Sequence, residues 1–178
     1  MTERDLPELW LEVADGFGAR LDAVRDEQWT APTPCTEWDV RMLAGHAVAV
    51  QRAFVNGEPP GMPEPVADPR STWSEVLSGL GTTLRAPGRL DGTFTLPSGA
   101  AIPAWAPQFG DLVVHTWDLA RAIGADKSLP PEAVEIVWES LQPAEEVVRS
   151  SGTFGPRIEA PPGADLQTRL LAFTGRRA

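Results

Sequence analysis

One cysteine in 178 residues excludes an internal disulfide. No apolar run approaches the ~20 residues that span a bilayer, so no membrane partner is expected. The opening Met1-Thr-Glu-Arg-Asp-Leu6 lacks the basic head and apolar stretch of a secretory signal. The expectation is a cytoplasmic protein. Basic charge is also scarce: 15 Lys and Arg against 25 Asp and Glu leave a net charge of −10. A phosphate backbone needs a basic footprint, and no Lys/Arg cluster supplies one, so nucleic acid is not an expected partner. No internal repeat and no linker-like boundary divides the chain. It reads as one domain, 1–178, long enough for a proper core. Its 42% hydrophobic and 22% charged residues are the balance of a soluble globular protein.

Histidine is almost as rare as cysteine, with two in the chain, and their positions organise the reading. His115 lies in Gly110-Asp-Leu-Val-Val-His-Thr-Trp-Asp-Leu-Ala-Arg-Ala-Ile-Gly124, which reads as one helix. Asp111, His115 and Asp118 stand there at i, i+4, i+7, in one row. Neighbours four apart have Cβ atoms about 5–6 Å apart, near enough for Asp111 and His115 to hold one ion. His46 lies in a second helical stretch, Trp38 to Phe54. Its apolar stripe is Val40, Leu43, Ala47, Val50 and Phe54, the seam of a bundle helix. At 100° per residue each histidine falls roughly 70° from the centre of its helix's apolar stripe. Both are therefore expected at the border of the core, neither deep in it nor on the open face.

The other elements follow from periodicity. A first helix is expected from Asp5 to about Arg25 on Leu6, Leu9, Val13, Phe17, Leu21 and Val24. Gly16 and Gly18 weaken it, since each costs about 1 kcal/mol against alanine. Thr36 with Asp39 resembles a capping box for the second helix. Asn56 to Pro69 is a loop by composition. A third helix runs from about Ser71 to Leu84. Gly92-Thr-Phe-Thr-Leu96 then alternates, and Pro97-Ser-Gly99 signals a turn, so a short hairpin is expected. The fourth helix carries the Asp111/His115 pair and ends at Gly124, a plausible C-cap. Pro130-Pro131 opens a fifth helix to about Ser150, with Val134, Val137, Trp138, Leu141 and Val148 on one face. The segment from Thr153 to Gly163 is irregular, and a last short helix spans about Asp165 to Phe173.

The chemistry implied is a metal centre. Two histidines and a carboxylate suit a borderline cation such as Zn²⁺. Three protein ligands leave a coordination position for water or substrate, as catalytic sites do. The expected ligands are His46, Asp111 and His115. Asp118 is almost two turns from Asp111 and reads as a support for a ligand rather than a ligand. Arg121 is a candidate anion clamp for substrate, set against a surface salt bridge, the commoner role of such a residue. Cys35, in Thr-Pro-Cys-Thr beside a helix start, is a candidate reactive thiol, set against a buried structural cysteine, also the commoner case.

The segments Pro34-Cys-Thr-Glu-Trp-Asp-Val-Arg-Met-Leu-Ala-Gly-His46 and Asp111 to Gly124 resemble the actinobacterial DinB-like metal-binding proteins, relatives of the N-terminal domain of mycothiol-dependent maleylpyruvate isomerase. Phe154-Gly-Pro156 and Gln167 to Arg176 share the likeness. The resemblance implies an all-α four-helix bundle of up-down-down-up topology, with a short hairpin-like insertion and an extra C-terminal helix here. It implies a metal triad at His46, Asp111 and His115, with Asp in place of the isomerase's Glu, one methylene shorter. It also implies a small-molecule substrate with mycothiol as cosubstrate. Two classes of function remain open. One is a zinc-dependent thiol transferase, with a metal-dependent hydrolase as its variant. The other is a non-catalytic metal or small-ligand binding protein. No catalytic acid or base is evident beside the triad, and the chain is expected as a monomer or homodimer.

Overall fold

The computed structural model describes residues 5–36, 38–58, 64–150 and 154–178. Residues 1–4, 59–63 of the expected loop and Thr153 of the expected irregular segment lie outside the described residues. So do Glu37 and the side chain of Val148.

Four long helices carry the apolar stripes: α1 Leu6–Asp22, α2 Val40–Asn56, α3 Pro69–Leu84 and α4 Ala106–Ile123. α1 packs on α3 and α4, and so does α2. Residue pairs along these seams give the directions. Trp10 meets Trp105 and Phe109 near the start of α4 (ring centroids 6.4 and 5.0 Å apart). Beyond the far end of α1, Gln28 reaches the Ile123 carbonyl, so α1 and α4 are parallel. Phe17 meets Trp73, whereas Leu11 lies against Gly81, so α1 and α3 are antiparallel. His46 faces Asp111 and Gln51 reaches Gln108, so α2 and α4 are antiparallel. The order is up-down-down-up, an all-α four-helix bundle as expected. Parallel α2 and α3 require the chain to return the length of a helix, about 25 Å at 1.5 Å per residue. The twelve residues 57–68 can span it, since an extended residue covers ~3.3–3.6 Å.

The core closes on large side chains that are fully buried, among them Trp10, Phe17, Leu43, Leu80, Phe109, Leu112 and Trp117. Gly18 does not break α1. A Cβ there would lie 2.7 Å from the Trp73 indole nitrogen, so the missing side chain makes room for α3. α2 starts at Asp39, whose carboxylate accepts from the Met42 N–H at 2.9 Å, rather than at the Thr36 box. β1 Thr93–Thr95 and β2 Ala101–Pro103 pair antiparallel, giving the small hairpin insertion.

The expected single fifth helix is broken. α5 Pro131–Leu141 ends in a tight turn, Gln142–Ala144, before α6 Glu145–Ser150. Pro143 has no N–H to donate, and its ring crowds the carbonyl one turn back. α7 Leu166–Phe173 packs on α5, with Phe173 against Trp138 at 5.7 Å. Among the described residues no helix is long and apolar enough to cross a membrane.

Candidate metal centre

His46 sits two turns into α2, and Asp111 and His115 sit one turn apart on α4. Because the helices run antiparallel, the three side chains converge. Asp111 Oδ1 lies 3.1 Å from His46 Nε2 and 3.4 Å from His115 Nε2. One ligand atom from each residue falls within 4.8 Å of the other two.

Both histidines are buried, at 3% and 6% exposure, rather than at a half-open border. The difference comes from the loop before α2. Its turn is closed by Thr33 Oγ1 donating to the Trp38 carbonyl at 2.8 Å and by Trp38 N–H donating to the Cys35 carbonyl at 3.0 Å. That turn lays the Trp38 indole over both imidazoles, with ring centroids 4.8 Å from His46 and 5.9 Å from His115. A helical wheel counts the faces of one helix and cannot count a loop folded over them. Asp111 is the most open of the three, with 19% of its side chain exposed.

Charge is unevenly satisfied here. Burial works to raise the Asp111 carboxyl, but His115 and His46 facing it outweigh burial and hold it well below the carboxylate range. Burial works to lower the His115 imidazole. Asp111, with the hydrogen bond to Asp118, outweighs that and holds it well above its ordinary value. Yet Asp111 Oδ2 is buried without any partner, and an orphaned buried acceptor costs about 1–3 kcal/mol.

These residues fit a divalent ion. Ligand bonds of ~2.0–2.1 Å in a tetrahedron place ligand atoms about 3.3–3.4 Å apart. The carboxylate-to-imidazole separations of 3.1 and 3.4 Å match that spacing. The set of two imidazoles and a carboxylate suits zinc or another borderline cation. The orphaned Oδ2 is the atom an ion or its ligand would satisfy.

Asp118 stands apart from the triad and accepts from His115 Nδ1 at 3.0 Å. That bond turns the other ring nitrogen, Nε2, toward Asp111, the arrangement that orients a metal-ligating histidine. Burial works to raise the Asp118 carboxyl. The His115 hydrogen bond and the Arg176 guanidinium outweigh it and hold the carboxyl low. Arg176 donates from Nε to Oδ1 at 3.2 Å and from Nη2 to Oδ2 at 2.8 Å.

Cys35 is half-buried in the same cluster. It accepts from Arg176 Nη2 at 3.1 Å, and its thiol points to Asp118 Oδ2 at 3.4 Å. Cys35, His115 and Asp118 are close enough together to suggest a second ion. The guanidinium already lies on both the sulfur and the carboxylate, so a second cation there would face Arg176 at contact distance.

Arg121 is not brought to the triad. It is exposed and lines a surface groove with Pro32, Thr33, Arg176 and Arg177. Sequence reasoning missed Arg176 and the capping role of Trp38. One signal was available for the arginine: a buried aspartate beside a histidine needs a permanent counter-ion. Nothing in a linear pattern says which of the arginines supplies it.

Residues 10–72 match the family described as mycothiol maleylpyruvate isomerase N-terminal domain. Two uncharacterized proteins of Mycobacterium tuberculosis, from strain CDC 1551 / Oshkosh and strain H37Rv, are each 32% identical over 181 residues, covering 91% of this chain and 92% of theirs. Among solved structures, a histidine-to-alanine mutant of the mycothiol-dependent maleylpyruvate isomerase aligns with a TM-score of 0.47 and 15% identity, over 85% of this chain and 73% of that one.

Proposed function

On the premise that this chain belongs to one family with those mycobacterial proteins and resembles the isomerase N-terminal domain over residues 10–72, we propose a metal-dependent thiol transferase. Its ion, zinc, is held by His46, Asp111 and His115, its thiol is mycothiol, and its second substrate is a small electrophile. The observation that carries the reading is the convergence of His46 Nε2 and His115 Nε2 on Asp111 Oδ1, on a carboxylate whose other oxygen is buried and unpartnered.

A divalent ion bound there supplies a Lewis acid that holds a thiol as its thiolate, whereas a free thiol has a pKa of about 8.5. The chain's own residues do the rest. Trp38 covers the two imidazoles and keeps water from that side. Asp118 fixes the tautomer and the angle of His115. The partly exposed edge of Asp111 is the side from which a ligand enters.

The test uses zinc-loaded full-length protein, mycothiol and a generic aromatic electrophile. Turnover in the wild type that disappears in His46→Ala is the expected result. A cobalt-substituted protein should also change its visible spectrum on adding mycothiol, since a new sulfur ligand enters. A cobalt spectrum indifferent to saturating mycothiol, glutathione and cysteine would sink the transferase reading. Metal binding without either signal would leave a binding protein.

A further inference from the structure

The C-terminal stop of α7 is built to aim one side chain at the back of His115. The Gly175 N–H bonds to the Ala172 carbonyl at 3.1 Å and the Arg176 N–H to the Leu171 carbonyl at 2.7 Å, the two bonds of a Schellman cap. Gly175 holds φ at +84°, and a Cβ there would lie 3.0 Å from the Pro156 carbonyl oxygen. Glycine is thus required twice over. The next residue, Arg176, then turns inward and is 7% exposed. Its Nη1 donates to the Thr174 carbonyl at 2.7 Å, which locks the guanidinium plane against its own turn.

Asp118 has no exposure at all. Its four donors are Arg176 Nε, Arg176 Nη2, His115 Nδ1 and the Cys35 thiol, about the full capacity of a carboxylate. A bidentate guanidinium fixes the carboxylate's plane as well as its charge. The plane of Asp118 sets the direction from which it accepts the His115 Nδ1 proton, and so the direction in which Nε2 points.

We propose that Arg176 is a positioning residue of the metal centre, and that through Asp118 and His115 it couples the stop of α7 to metal binding. The inference rests on the metal reading above. It makes the last turn of the chain part of the site, although Arg176 lies 58 residues from Asp118 and touches no ligand of the ion. Coupling between two sites is reciprocal. If Arg176 tightens the metal, the metal must also tighten the cap.

Two measurements test this. The first is zinc affinity, by competition with a chromogenic chelator. Arg176→Met should weaken binding by about 10–100-fold, as loss of a ligand's support does, and Arg176→Lys should recover part of it. Where Arg176→Met folds poorly, Asp118→Asn with Arg176→Met removes both charges together. It should bind zinc no worse than Asp118→Asn alone, because the two residues act as one chain. The second measurement needs only wild-type protein: amide hydrogen exchange with and without zinc. Zinc should slow exchange at Thr174, Gly175 and Arg176 as well as around His46 and His115.

A wild type that takes no zinc overturns the metal reading and this inference together. A wild type that binds zinc overturns this inference alone in either of two cases. One is a folded Arg176→Met, or the double variant where it does not fold, whose affinity disobeys the expectation above. The other is exchange at 174–176 that ignores zinc.

Discussion

Asp111 and Asp118 are the same residue type on the same helix, and they meet opposite fates. Asp118 is buried outright and fully satisfied, with a permanent cation on both oxygens. Asp111 keeps an open edge, two imidazoles on one oxygen and nothing on the other. A buried carboxylate with a guanidinium partner is finished structure, because no further cation improves it. A carboxylate whose partners are titratable and whose second oxygen is orphaned can exchange protons for an ion. His115 stands between the two, one ring nitrogen on each side. The contrast distinguishes the proposed support from the proposed ligand more sharply than spacing along α4 does.

The largest break in that contrast is His115→Ala, which removes the shared ring and should abolish zinc binding as read by metal analysis after gel filtration. Next come the two aspartates. Asp111→Ala should also lose the ion, whereas Asp118→Ala should weaken it by about 10–100-fold. Asp118→Ala should also cost about 3–5 kcal/mol in denaturant unfolding, because it strands the Arg176 charge in the core. Complete metal loss in Asp118→Ala with retention in Asp111→Ala would reverse the assignment.

A smaller effect appears with pH. In metal-free protein the raised His115 contributes stability that is full below its unfolded pKa of about 6.5 and is lost as pH rises through its folded value. The depressed Asp111 and Asp118 contribute stability that is full above about 3.9 and is lost as pH falls through their folded values. Metal-free protein should therefore be most stable between about pH 4 and 6.5. Zinc must displace the His115 imidazolium proton. Its stabilisation should be slight near pH 5 and grow with alkalinity, toward about 2.7 kcal/mol at a hundredfold excess over Kd. Thermal melts across pH, with zinc and with chelator, check both curves, and a zinc shift larger at pH 5 than at pH 8 would contradict them. The smallest effect is expected at Arg121. Arg121→Ala should change stability by no more than about 0.5 kcal/mol and leave zinc affinity alone.

Much of this was legible in the residues. The apolar stripes of α1 to α4, the break into a hairpin after Leu90 and the short last helix all follow from local periodicity. The expected fifth helix runs past its true end because Pro143 sits within an otherwise helical pattern, and its missing N–H stops α5 at Leu141. The burial of His46 and His115 is not legible in the sequence because Trp38 lies in a Thr/Pro-rich loop. Loop composition says that a turn exists but not what it covers.

By itself the sequence determined that Asp111 and His115 share one helix face a turn apart, because a helix repeats every 3.6 residues and neighbours at i and i+4 meet whatever surrounds them. It also determined that a second histidine was available in His46 and that Asp118 lay on the same row. Only the tertiary structure decided that α2 runs against α4 and delivers His46 to Asp111, that Trp38 shuts the imidazoles from water, and that the counter-ion of Asp118 is Arg176. Those three depend on packing between segments far apart in the chain. No repeat along the chain encodes a partner 58 residues away.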